Sequence, residues 1–181
     1  MVSTAPVHST SILGNRMLKV DHAGEQGAIC LYRAQRTAAR VTAPAMVDHL
    51  SDFLIHEKRH RAVFGAALMQ RRAPRSRMFW PCAIGGYVLG FLTGLFGARA
   101  IAATTLAVEA TVLRHLADQR RALSGLDAEA VAIIGSIIED EQIHHDRFLD
   151  RMKLDSWWLR ALRSIISAST EAVIWLGMRV G

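Results

Sequence analysis

Apolar residues recur along the chain at spacings of three and four, and alternation of period two is missing, so the pattern predicts helices and no sheet. The expected fold class is all-α. A first helix over residues 17–40 stops ahead of Thr42-Ala43-Pro44, because the residue before a proline is pushed out of helical geometry. A second, over 46–71, ends in a basic turn carrying Arg71, Arg72, Arg75 and Arg77. Residues 78–98 follow, 21 positions without a charge and the most lipid-like segment of the chain. A third helix over 99–123 meets Ser124-Gly125-Leu126-Asp127, where glycine supplies a stop and Asp127 caps a fourth helix over 128–152. The last element, 156–180, sets Trp157, Leu162, Ile166 and Ile174 against Arg160, Arg163 and Arg179, the pattern of an amphipathic helix that packs or lies on a membrane. Residues 1–15, without charge or a continuous apolar run, read as a loose tail on an unprocessed bacterial protein, leaving 16–181 as a single domain.

Composition sharpens this picture. At 51% hydrophobic and 21% charged, with a mean hydropathy of +0.18, the chain is greasier than an ordinary soluble domain yet not a polytopic membrane protein. Lys plus Arg outnumber Asp plus Glu by 22 to 16, and only Lys19, Lys58 and Lys153 are lysines. That arginine excess suits an anionic surface, phospholipid or nucleic acid, although the arginines are scattered along helical faces. Cys30 and Cys82 stand alone, which excludes a disulfide framework and a cysteine-based metal site and suits a reducing cytosol.

The chemistry is in a repeated spacing. Glu57-Lys58-Arg59-His60 and Glu141-Gln142-Ile143-His144 are two E-x-x-H motifs, and three residues apart on a helix puts carboxylate and imidazole on one face. One such motif means little. Yet 32 positions before Glu57 stands Glu25, and 32 before Glu141 stands Glu109, although glutamate fills only 7 of 181 positions. The midpoints of the two pairs, Val41 and Gly125, both fall at expected turns. When an antiparallel helix pair folds about its turn, residues equidistant from it come level, here about 24 Å away. Two such halves present four carboxylates and two imidazoles to the inside of a four-helix bundle, the ligand set of ferritin-like di-iron and di-manganese carboxylate proteins. Histidine plus carboxylate with open positions favours iron.

Taken singly, most of these residues have plainer readings. Glu25, Glu57 and Glu141 suit exposed helix faces, and His60 and His144 suit ordinary core or surface positions. Glu109 differs: its neighbours in 102–112 are apolar, small or threonine, and a lone buried carboxylate there costs several kcal/mol or protonates. The doubled pattern decides for a metal site. His22, His56, His115 and His145 gain no such support, and Asp140, beside a candidate ligand, is placed to orient a histidine of the opposite half.

Val20-Asp21-His22-Ala23-Gly24-Glu25, Glu57-x-x-His60, Ala107-Val108-Glu109 and Glu141-x-x-His144-His145-Asp146 together resemble the demethoxyubiquinone hydroxylase family of ubiquinone biosynthesis, over nearly the whole chain from about Arg16. The resemblance implies a monooxygenase bound peripherally to the membrane that hydroxylates the ring of a polyprenylated quinone precursor. It implies Glu25, Glu57, His60, Glu109, Glu141 and His144 as ligands of two iron ions per chain, O2 as co-substrate, and NADH or another external reductant. A dinucleotide fingerprint of the G-x-G-x-x-G type is missing, so reducing equivalents come from outside. His115 matches a family histidine, but Leu116 stands where relatives carry a tyrosine, and Trp175 occupies a late aromatic position that can be tyrosine.

Two other readings compete: an iron-storing or peroxide-reducing ferritin relative, which has no use for the apolar segment, and a non-enzymatic membrane protein with incidental glutamates. Residues 78–98 would span about 31 Å as a helix, enough to cross a bilayer. A crossing would part Glu25, Glu57 and His60 from Glu109, Glu141 and His144. The segment is therefore expected to dip into one leaflet or dock on the bundle, bent by Pro81 and five glycines. The expected protein is monotopic, on the cytoplasmic face of a bacterial inner membrane, with Arg71, Arg72, Arg75 and Arg77 near lipid phosphates. It is a homo-oligomer without nucleic acid as partner, open to other quinone-biosynthesis proteins.

Overall fold

The computed structural model describes the backbone of residues 7–149 and 156–180 and the side chains of 12–142 and 156–180. They form α1 (Val7–Thr42), a 3-10 turn (Pro44–Met46), α2 (Val47–Gln70), α3 (Phe79–Leu95), α4 (Ala98–Leu123), α5 (Ala128–Leu149) and α6 (Trp157–Val180). No strand occurs among the described residues. Both expected hairpin turns are present. Gly125 adopts the left-handed φ of +76° after α4, and the Asp127 carboxylate accepts the Ala130 N–H at 3.1 Å to cap α5.

Residues 7–15, expected as part of a loose tail, are helical: α1 begins well ahead of residue 17. The reason is tertiary. Leu13 packs against the apolar cluster of Met17, Leu18, Phe64 and Ile134, and Gly14 abuts Asp127 so closely that a Cβ would stand 2.1 Å from its Oδ2. Arg71, expected at lipid phosphates, instead grips Asp127 with two hydrogen bonds of 2.7 and 2.8 Å and reaches Glu129 at 2.8 Å. It staples the end of α2 to the start of α5, and in return holds the Asp127 carboxyl below the usual carboxylate range.

Two apolar clusters fill the bundle. One, at the Pro44 end, gathers Ile29, Tyr32, Leu50, Phe53, Ile101 and Leu106. The other, at the Gly125 end, gathers Leu18, Phe64, Leu68, Leu116, Leu123 and Ile134. The candidate site lies between them.

The apolar segment forms α3, which docks along α1. A Cβ on Gly86 or Gly90 would stand 2.2 Å from the carbonyl oxygen of Gly27 or Leu31, so the two helices meet backbone to backbone. Its 17 residues reach about 26 Å, short of a bilayer's hydrocarbon core. The outer side leaves Trp80, Ile84, Tyr87, Val88 and Leu95 exposed. Gly97, at φ +81°, turns the chain into α4. On α6, Leu159, Ile166 and Gly177 face inward, while Trp157, Ile165 and Trp175 are exposed. The one described helix long and apolar enough to cross a membrane is α4, and it is mostly buried and carries Glu109. Its apolarity is that of a core helix.

Candidate metal centre

Four helices bring the predicted acids inward. Glu25 comes from α1, Glu57 and His60 from α2, Glu109 from α4 and Glu141 from α5, and all five side chains are buried. The spacing of three between Glu57 and His60 turns both toward the same interior, as the helix period requires. One ligand atom from each of Glu25, Glu57, His60 and Glu141 lies within 4.8 Å of the others. Ligands at about 2.2 Å on opposite sides of an ion stand about 4.4 Å apart, so this spread suits a coordinated cation. Glu109 lies outside that foursome, with its Oε1 accepting the Tyr32 hydroxyl at 3.1 Å. His144 lies on α5, but its side chain is outside the described residues.

Electrostatics point the same way. Burial drives the carboxyls of Glu25, Glu57 and Glu109 up; neighbouring carboxylates push in the same direction, and Glu25 and Glu57 are joined by a hydrogen bond. His60 is pulled down by burial, yet Glu141, Glu57 and Asp140 outweigh this and raise its imidazole. Its Nδ1 stands 2.9 Å from Glu141 Oε1 but out of line for a hydrogen bond, and Glu109 Oε2 is likewise buried without a partner. Buried polar atoms left in this way cost about 1–3 kcal/mol each. Acids crowded past their comfort and lone pairs without donors are what a bound cation relieves, so the donor set fits a metal.

The surroundings orient these donors. Asp140 on α5 faces His60 Nε2 at 3.4 Å, the opposite-half contact anticipated from its position. Tyr32, the donor to Glu109, was not singled out by spacing. Its signal was available: it lies seven residues after Glu25, on the same helical stripe, but an isolated tyrosine there reads as core. His22 stacks on Phe79 at 5.2 Å, and His115 meets Glu171 of α6 at 2.8 Å. Neither belongs to the cluster. Asp21 accepts the Gln119 amide at 2.9 Å and is pushed up to about 7 by burial.

A helical bundle with a buried glutamate–histidine cluster at mid-height is the arrangement of the ferritin-like class, and its donors fit a metal. Within that class, the family described as Ubiquinone biosynthesis protein COQ7 matches residues 13–177, and the chain belongs to it. Similar proteins include the 3-demethoxyubiquinol 3-hydroxylase of Rhodospirillum rubrum, 31% identical over 95% of this chain and 81% of its own length. The mitochondrial NADPH-dependent 3-demethoxyubiquinone 3-hydroxylases of Dictyostelium discoideum and Homo sapiens are 28% and 29% identical, covering 91% and 92% of this chain and 76% and 77% of theirs.

Proposed function

We propose that this chain is a di-iron monooxygenase that hydroxylates the ring of a demethoxyubiquinone-type substrate in ubiquinone biosynthesis. The observation that carries this reading is the convergence of Glu25, Glu57, His60 and Glu141 within 4.8 Å, in a chain of a ubiquinone-biosynthesis family. These four would hold iron, and Glu109 and His144, the remaining members of the repeated E, E-x-x-H pattern, would complete a seat for two ions. Four ionised carboxylates balance two dications, which makes two the electrically neutral number. Bound iron supplies the O2 chemistry that side chains cannot.

The remaining work falls to the protein's own groups. Tyr32 fixes the rotamer of Glu109 by donating to its Oε1, and Asp140 engages His60 Nε2 so that Nδ1 is left toward the carboxylates. The apolar clusters above and below exclude water from this layer. The exposed outer sides of α3 and α6 support a monotopic seat on one leaflet, where a polyprenyl tail stays in lipid while the ring reaches the bundle. The reductant is external, and NADPH is the one that the relatives' names carry. The cytoplasmic face and a homo-oligomeric state complete the proposal.

The test is quinone composition. Cells lacking the protein accumulate the demethoxy precursor by mass spectrometry, and the wild-type gene restores the mature quinone where Glu57→Ala does not. An unchanged quinone profile with iron in the purified protein would instead indicate storage.

A further inference from the structure

Three separate stretches converge beside the start of α3. Lys19 of α1, Pro74, Arg75 and Arg77 of the turn before α3, and Arg179 and Val180 at the end of α6 line an open recess of about 630 Å³, within the range of small-ligand sites. Its four cations have no acid among the lining residues. Arg59, Arg71, Arg114 and Arg121 each pair with a carboxylate, whereas Lys19, Arg75, Arg77 and Arg179 pair with none among the described residues. Four like charges gathered in one recess repel each other, and an anion relieves that repulsion.

The setting identifies which anion. Arg75 lies over the Phe79 ring at 4.8 Å and Arg179 over the Trp175 ring at 3.3 Å, so aromatic faces of α3 and α6 hold two of the guanidinium groups in place. Exposed Trp80 and Trp175 belong to the same two apolar helices. A recess with two guanidinium groups held in place and two further cations beside them recognises phosphate, and its apolar flanks suit acyl chains. We propose that this recess seats the phosphate headgroup of an anionic lipid. The inference rests on the membrane face of the proposed function, and it adds a specific headgroup site to a generally adherent surface. Lys19 and Arg179, distant in sequence from the basic turn, are its unexpected members, while Arg71 is excluded by its grip on Asp127.

Sedimentation with phosphatidylcholine vesicles, with and without phosphatidylglycerol, tests it on the iron-loaded protein. The variant Arg75→Gln/Arg77→Gln/Arg179→Gln is expected to lose about 100-fold in affinity for the anionic vesicles and to bind neutral vesicles as the wild type does. Lys19→Gln/Arg77→Gln, which touches no aromatic contact, is expected to lose about 25-fold. A charge-matched control, Arg33→Gln/Arg40→Gln/Arg120→Gln, is expected to lose about threefold or less, since charges beyond a Debye length are screened. Equal losses in control and recess variants, or no loss in either recess variant, would overturn the proposal. Displacement from anionic vesicles by inorganic phosphate or NADPH, at ionic strength matched with sodium chloride, would overturn it too and assign the recess to a soluble phosphate. A wild type that binds neither kind of vesicle overturns the membrane face itself, a result distinct from lost headgroup preference.

Discussion

The two hairpins carry the same chemistry and live in different surroundings. Each candidate ligand of α4 and α5 stands 84 positions after its counterpart in α1 and α2: Glu109 after Glu25, Glu141 after Glu57, His144 after His60. In the first hairpin, Glu25 and Glu57 hydrogen-bond to each other. In the second, the acids look across the bundle: Glu109 to Tyr32 of α1, and Glu141 to His60 of α2. The counterpart of Tyr32 is Leu116, buried in the Gly125-end apolar cluster. Duplicated ligand spacing therefore does not duplicate the groups that orient the ligands. Among the described residues, the first hairpin supplies Tyr32 to Glu109, and the second supplies Asp140 and Glu141 to His60.

Removing a ligand from either hairpin should break this arrangement most severely. Glu57→Ala and Glu141→Ala are each expected to lose most of the bound iron, with hydroxylation falling more than about 100-fold, because each sits in the central foursome. Elemental analysis and conversion of a demethoxyubiquinone substrate are the measurements. Full iron in both variants would refute the ligand assignment.

The crosswise contacts predict a smaller and unequal effect. Tyr32→Phe removes the donor to Glu109 found among the described residues, and Asp140→Asn weakens the contact at His60 Nε2. Each is expected to lower iron affinity by about 10- to 100-fold while leaving helix content intact. Leu116→Met, at the symmetric position, should leave iron affinity unchanged and cost less than about 1.5 kcal/mol of stability. A loss of iron at Leu116 equal to that at Tyr32 would restore the symmetry that the structure denies.

Much of this was legible in the chain itself. Midpoint arithmetic put the turns at 41 and 125, because an antiparallel hairpin converts equal sequence distance into equal height; Gly125 is in a turn, while Val41 is still helical and the first connection begins at Ala43. The early start of α1 was not legible, since Leu13 joins a cluster built mostly by residues of α2, α4 and α5. Nor was the role of Arg71, whose acids lie 56 and 58 positions away. The glycines of residues 78–98 allowed a bent helix or a docked one. Docking follows from Gly86, Gly90 and Gly94 falling on a single stripe, spaced by four, which lets α1 approach at backbone distance.

The acids that separate the hairpins' surroundings also give the iron-free protein a pH signature. Asp21 moves from 3.8 to about 7, and Glu25, Glu57 and Glu109 move upward with it, all by burial first. A carboxyl raised on folding keeps its proton in the folded state while the unfolded chain releases it. Stability is then full below about pH 4 and is lost as pH rises toward 7 and beyond. The raised His60 acts in the same direction. Thermal unfolding of iron-free protein should show a midpoint falling between pH 5 and pH 8, with a loss on the order of 3 kcal/mol from Asp21 alone. Iron-loaded protein should lose less, because the ligands are then ionised against a cation. Equal slopes with and without iron would show that Glu25, Glu57 and Glu109 are not at the metal.

The smallest expected effect concerns the helices that clad the two hairpins. Against α1, α3 is seated through backbone: a Cβ on Gly90 meets the Leu31 carbonyl oxygen at 2.2 Å, and a carbonyl cannot rotate aside. Gly177 of α6 also meets α1, but through a side chain, with its Cβ 3.2 Å from a Val20 methyl, a contact that a shift of a few tenths of an ångström relieves. Helix propensity favours alanine over glycine by about 1 kcal/mol at both sites. Overpacking opposes it by about 1–3 kcal/mol or more where backbone must part. Gly90→Ala is therefore expected to lower the unfolding midpoint, Gly177→Ala to leave it nearly unchanged, and Gly85→Ala, with open space around its Cβ, to raise it by a few degrees. If Gly90→Ala were as harmless as Gly177→Ala, α3 would be a loosely held appendage. A clear loss at Gly90 alone makes α3 a fixed wall of the first hairpin, so that α1 carries Glu25 and Tyr32 to the iron site from a rigid seat.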